Sequence, residues 1–191
     1  MALATPAPRV LGDYLATSKV ANIALVVGGS AFVGISAQVV IPLPFTPVPL
    51  TLQTFAVLLV GAALGTWRGM ASMVVYAAAG TAGVPWFSAG SSGWGGASYG
   101  YILGFIVAAG LVGRLAERGA TRTPVRMAGL MVAGNIAIYA IGVSYLKFAI
   151  DVSWATALSL GVVPFLLGDA LKIVLAAGLF PATWRLVSRV N

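Results

Sequence analysis

The sequence predicts an all-α membrane protein: a bundle of six transmembrane helices, both termini cytoplasmic, with Pro/Gly-rich outer loops covering a substrate pocket. Of the 191 residues, 60% are hydrophobic and only 8% are charged, with a mean hydropathy of +1.00. A soluble domain carries roughly a quarter charged residues. Six apolar runs approach or reach the length needed to cross hydrocarbon. With six crossings the cations collect on one side, as the positive-inside rule requires.

Residues 1–19 read as a short polar cytoplasmic tail with an interfacial turn at 11–16, and residues 20–191 as the six-helix substrate-binding domain. The first run, 20–41, has 22 residues, or about 33 Å of helix. A secretory leader has a shorter apolar core followed by a small-residue cleavage site, so this run is expected to stay as the first helix. The next two, 50–65 and 69–84, lie near the lower length limit for a span. Runs 99–115 and 125–146 follow, and 164–187 closes the chain. Residues 154–163 are also apolar and read as a short interfacial helix. A break is expected before Pro164, because a residue preceding proline is pushed out of helical geometry.

The charges then sort. Arg9, Lys19, Arg68, Arg114, Arg118, Arg122, Arg126, Arg185 and Arg189 fall on the side of the termini, and only Lys147 and Asp151 occupy the opposite connections. The net charge of +7 is therefore explained by membrane topology, with no nucleic-acid partner implied. There is no cysteine or histidine, which removes thiol chemistry and the commonest zinc ligands. None of the three lysines follows a glycine, so the phosphate-binding Gly-Lys-Ser/Thr loop is absent, and no cofactor is expected.

Two features carry the functional reading. Asp169 and Lys172 sit three residues apart in the otherwise uncharged stretch from Pro164 to Phe180. Ions inside a membrane helix are costly, about 2.5–3.5 kcal/mol each on insertion scales, and so mark functional sites. At this spacing both project from one helical face. A structural ion pair is the bland alternative. The outer loops are the second feature. Residues 41–50 hold four prolines and no charge, while 84–99 interleave glycine and serine with four aromatics. Such loops suit a stiff apolar pocket with a few orienting polar groups. Candidate substrate contacts are Asp169, Lys172, Ser91, Trp94, Tyr99, Phe45 and Gln53. Gln53 and Asn135 read first as interhelical hydrogen bonds, ahead of ligand contacts, and Trp154 and Trp184 as members of an interfacial aromatic belt facing membrane lipid. The small residues Ala24, Gly28, Ser30 and Gly34 on the first helix form a candidate partner-contact stripe.

The run Pro44-Phe-Thr-Pro-Val-Pro-Leu-Thr-Leu-Gln-Thr-Phe-Ala-Val-Leu-Leu59, with Gly61 to Gly69 around Arg68, closely resembles the signature of the BioY family. The resemblance continues through Tyr76, Gly80, Gly83, Pro85 and Phe87, then Gly100-Tyr-Ile-Leu-Gly-Phe105, and Gly161-Val-Val-Pro-Phe-Leu-Leu-Gly-Asp-Ala-Leu-Lys172. Many family members carry Pro-Thr-Gly-Gly-Tyr where this chain has Ala97-Ser-Tyr-Gly-Tyr101, and the Ser88–Ser92 segment lacks a carboxamide found in some of them. The resemblance implies a biotin-specific S component of an energy-coupling-factor (ECF) vitamin transporter in a prokaryotic plasma membrane. It implies biotin as substrate near the extracellular face, contacted by Asp169 and Lys172. It also implies a transmembrane coupling subunit and two cytoplasmic ATPases as partners, so that the chain itself is no enzyme. From the residues alone, another vitamin or heterocycle, an intramembrane enzyme with Asp169 as general base, or a structural membrane partner stay open.

Overall fold

The computed structural model describes residues 9–190, with side chains through Val187. Residues 1–8 of the expected tail and the side chain of Arg189 lie outside it. The chain runs α1 (Lys19–Ser36), β1 (Val40–Ile41), β2 (Leu50–Thr51), α2 (Gln53–Thr81), α3 (Tyr99–Glu117), α4 (Pro124–Ala149), α5 (Trp154–Gly161) and α6 (Leu166–Val190), with 3-10 turns at Leu11–Tyr14, Ser88–Gly90 and Val163–Phe165.

Among the described residues, five stretches are long and apolar enough to cross a membrane: Lys19–Ser36, Gln53–Thr81, Tyr99–Glu117, Pro124–Ala149 and Trp154–Val187. Their outward faces carry large apolar side chains, such as Val20, Ile23 and Ile35 on α1 and Leu167, Leu171 and Val174 on α6. This surface suits lipid rather than water. The chain is a helical multi-pass membrane protein.

The second and third expected runs lie in one element, α2, which is broken at Gly65 (φ 83°, ψ −177°). Only glycine takes that backbone conformation without strain. The amide of Gln53 bonds the hydroxyl of Tyr76, 23 residues on, where a straight helix would separate them by about 34 Å. Segments 53–64 and 66–81 are therefore antiparallel arms of a hairpin. A Cβ on Gly61 would lie 2.8 Å from the Ala109 carbonyl of α3, and one on Gly113 would lie 2.4 Å from the Gly65 carbonyl carbon. Absent side chains thus let the turn and α3 meet backbone to backbone. α3 is the centre of the bundle: 61% of its spanning window is buried, against 28% for α1.

The first helix stops at Ser36, five residues before the expected end, and Val40–Ile41 pair antiparallel with Leu50–Thr51. The β-branched residues ahead of Pro42 and Pro44 cannot extend a helix into prolines, and pairing across the proline loop satisfies their backbone instead. The loop becomes a strap. It is pinned to α5 by the Thr46 hydroxyl on the Leu160 carbonyl (2.8 Å) and lies on α6 with Leu50 against Gly168. The expected break before the last helix is present, one residue earlier than Val163: α5 ends at Gly161 and Val162 (φ −126°, ψ −57°) is the joint.

Candidate functional site

On α6 the buried positions Asp169, Lys172, Ala176, Phe180 and Trp184 recur at helical spacing, continuing from Phe165 in the preceding turn. This is the single inward stripe of an otherwise lipid-facing helix. Asp169 and Lys172 are 5% and 9% exposed, so both charges are inside the bundle. Lys172 Nζ donates to the Thr54 hydroxyl (2.8 Å), to the Thr51 carbonyl (2.9 Å) and, at 3.5 Å, to Asp169 Oδ1. Asp169 Oδ2 accepts from the hydroxyl of Tyr139 on α4. Each ion is held by neutral hydrogen-bonding groups as well as by its opposite, which is what lets a charge persist at this depth.

The 84–99 loop is fixed onto the end of the α2 hairpin. Gln38 donates to the Trp86 and Phe87 carbonyls (3.2 Å each), the Tyr76 hydroxyl donates to Trp86 O (3.2 Å), and the Trp86 indole returns a bond to Tyr76 O (3.0 Å). The Phe87 ring occupies the space above Gly80, where a Cβ would lie 2.1 Å from it. The Tyr99 hydroxyl is shared with Thr81 (2.9 Å).

Between strap, loop, α3, α4 and α6 lies a cavity of about 820 Å³, counting its open mouth. Asp169, Lys172 and Tyr139 form its polar wall, Phe87, Tyr101, Phe105 and Phe165 line it with aromatic surface, and the strap contributes Val48 to Thr51. Of the residues expected from sequence, Asp169, Lys172, Gln53, Tyr99 and Ser91 line this cavity. Phe45 and Trp94 do not; they are 62% and 82% exposed. The Ser91 hydroxyl is bonded to Ser88 O (2.8 Å), whereas the buried Ser88 hydroxyl, also on the cavity wall, has no partner among the described residues. Sequence reasoning missed Tyr139 and Thr54, which partner the two charges, and nothing in their neighbours' composition singled them out.

The opposite end, around Gly65, is basic and tied together. Arg68 bonds the Asp13 carboxylate, Asn22 (3.2 Å) and Leu64 O (2.8 Å). This draws the Leu11–Tyr14 turn over the hairpin and buries Val10. Burial raises the Asp13 carboxyl, but the Arg68 bond and the Val10 and Arg9 amides outweigh it and hold it below the usual aspartate value. Trp184 is buried rather than lipid-facing: its indole donates to Thr121 (2.9 Å) and Arg122 stacks on it at 3.8 Å. Trp154 is half exposed, with Lys147 at 5.5 Å from its ring. The four small residues of α1 divide. Ser30 donates to Ser72 O (2.7 Å) and Gly34 packs on Trp86, both internally, while Ala24 and Gly28 are exposed along an apolar groove with Leu25, Phe32, Leu59 and Leu179.

The sequence profile of the BioY family matches residues 10–189. The chain belongs to the BioY family. Among BioY relatives, a biotin transporter BioY of Thermotoga maritima is 38% identical over 140 residues, covering 72% of this chain and 81% of the relative. One from Rhodobacter capsulatus is 33% identical over 166 residues, covering 74% and 85%. A solved structure, described as the S-component for biotin from an ECF-type ABC transporter, superposes with a TM-score of 0.78 at 24% identity, covering 87% of this BioY chain and 92% of the other. At that identity the likeness establishes the shared fold.

Proposed function

We propose that this chain is the biotin-binding S component of an ECF-type vitamin uptake transporter, capturing biotin from outside a prokaryotic plasma membrane. The observation that carries the proposal is the cavity: a buried carboxylate and a buried ammonium side by side, facing aromatic walls beneath a proline strap. Biotin offers matching chemistry, with ureido N–H donors next to a carbonyl acceptor on an apolar bicycle. Asp169 accepts from an N–H, Lys172 donates to the carbonyl, and Gln53, Tyr99 and Ser91 complete the wall. The relatives' names as biotin transporters support the same substrate.

In this reading the two arms of α2 each cross the bilayer, giving six crossings, and the Arg-rich Gly65 end faces the cytoplasm with both termini. The arms have 12 and 16 residues, about 18 and 24 Å of helix, so they cross only with help from the strap and loop at the pocket end. With no nucleotide-binding motif of its own, the chain works with a transmembrane coupling subunit and two cytoplasmic ATPases. The exposed Ala24–Gly28 groove is the proposed contact for the former. Equilibrium binding of labelled biotin to the purified protein tests the proposal. Saturable binding, competed by analogues that keep the ureido ring, is expected; its absence rejects the assignment. Because the chain has no cysteine, single cysteines at Trp94 and Arg118, labelled from outside intact cells, test the orientation. Only the first should react.

A further inference from the structure

Opposite charges one helical turn apart ordinarily close into a pair. Asp169 and Lys172 do not close: the ammonium stands 3.5 Å from Oδ1, while its contacts to Thr54 and Thr51 are 2.8 and 2.9 Å. An ammonium has three protons and a carboxylate about four acceptor positions. Two of the protons are spent on neutral partners, and the third lies on the long contact. On the carboxylate, Oδ2 is taken by Tyr139, and Oδ1 has that long contact alone among the described residues. Each charge is therefore drawn sideways by a neutral group from another segment of the chain. What remains between them is one acceptor and one donor, adjacent and on the cavity wall.

We infer that Tyr139 is a positioning and specificity residue: its hydroxyl holds Asp169 away from Lys172, keeping Oδ1 open to an N–H donor and the third lysine proton open to a neighbouring carbonyl. The inference rests on the biotin-binding reading and refines it. The phenol is well placed for the task. Its ring stands edge-on to Tyr101 (6.5 Å between centroids, 88° between planes), and Tyr101 is itself fixed by its hydroxyl on the Gly161 carbonyl (2.9 Å). α3, α4 and the end of α5 thus brace the donor before any ligand arrives. The ligand class selected is a cyclic urea or amide with N–H beside C=O. A ligand with only acceptors would leave Asp169 unanswered in a buried place, and a site built for a hydrogen bond rejects analogues lacking it.

The test is a double-mutant cycle in biotin affinity, by calorimetry on detergent-purified protein, with a thermal melt for every variant. Tyr139→Phe keeps the ring packing and removes the hydroxyl; it is expected to weaken biotin about 10- to 100-fold. In the Asp169→Asn background the same change is expected to cost no more than about twofold, since the hydroxyl then has no carboxylate to hold. Incorporation of 4-aminophenylalanine at position 139 restores an N–H donor and should recover most of the affinity. A biotin analogue methylated on both ureido nitrogens should bind wild type weakly and be indifferent to Tyr139→Phe. A fold defect or a direct ligand contact would instead give losses that add across the cycle, and additivity overturns the inference. So does a Tyr139→Phe protein that binds like wild type, or a methylated analogue that binds as tightly as biotin. If wild type itself shows no saturable biotin binding, the proposed function fails and the inference with it; binding with an additive cycle removes the inference alone.

Discussion

Lys172→Met removes the ammonium while roughly keeping the volume of a residue that is 9% exposed. The protein loses the bonds to Thr51 O and Thr54 Oγ1, and Asp169 is left with Tyr139 as its hydrogen-bond donor and no counter-charge. Breaking one side of a buried pair costs about 3–5 kcal/mol of stability. On the proposed biotin-binding reading, the ligand carbonyl also loses a charged donor, about 1.5–3 kcal/mol, or a 10- to 150-fold rise in Kd. The two losses are separable with Asp169→Asn/Lys172→Met, which leaves no charge to strand. Its thermal midpoint should return toward wild type, because replacing a whole buried pair is often nearly neutral, while biotin binding stays weakened. Thermal unfolding in detergent reads the first quantity and calorimetric titration the second. A Lys172→Met protein that binds biotin with wild-type affinity would refute the placement of this pair in the site. A double variant as unstable as the single one would refute the electrostatic account of its stability.

Gly65→Ala should lower the thermal midpoint by the equivalent of about 1–3 kcal/mol, because the hairpin needs φ near 83° and the added Cβ would lie 2.9 Å from a Glu117 oxygen; an unchanged midpoint would show that the turn tolerates a side chain. The folded-state value of Asp13 is depressed, so its contribution is complete above the unfolded value, about 3.9, and fades as pH falls below it. The gap in thermal midpoint between wild type and Asp13→Asn should accordingly be present at pH 7 and narrow progressively below about pH 4; a gap independent of pH would refute the assignment. Gly28→Leu, on the exposed groove, should reduce co-purification with the coupling subunit and leave biotin affinity unchanged, whereas Ser30→Leu should destabilise the fold through the lost contact with Ser72.

The parts of this molecule legible in its sequence are those where composition and physics conflict. Two ions in an apolar helix have few reasons to be there, so Asp169 and Lys172 could be found without coordinates. The break before the last helix was legible for the same kind of reason, since proline leaves the chain little choice. Direction was not legible. Aromatic content in an outer loop says nothing about which ring turns inward, so Phe87 lines the cavity while Trp94, in the same loop, stands exposed. Tyr139 and Thr54 were invisible because a tyrosine or threonine in an apolar run reads as packing until a partner from a distant segment reaches it. Trp184 looked like a lipid-facing belt residue because position near a helix end is shared by both roles; Thr121 and Arg122, more than sixty residues earlier, decide between them. The turn at Gly65 was anticipated as a short connection, and one glycine in an unusual conformation is enough to make it.

The bond from Lys172 to the Thr51 carbonyl ties a charge on the last helix to the end of the proline strap. One amine therefore both lines the cavity and fastens the segment that lies across it. Removing that amine, as in Lys172→Met, takes a hydrogen bond from the strap as well as a charge from the cavity wall.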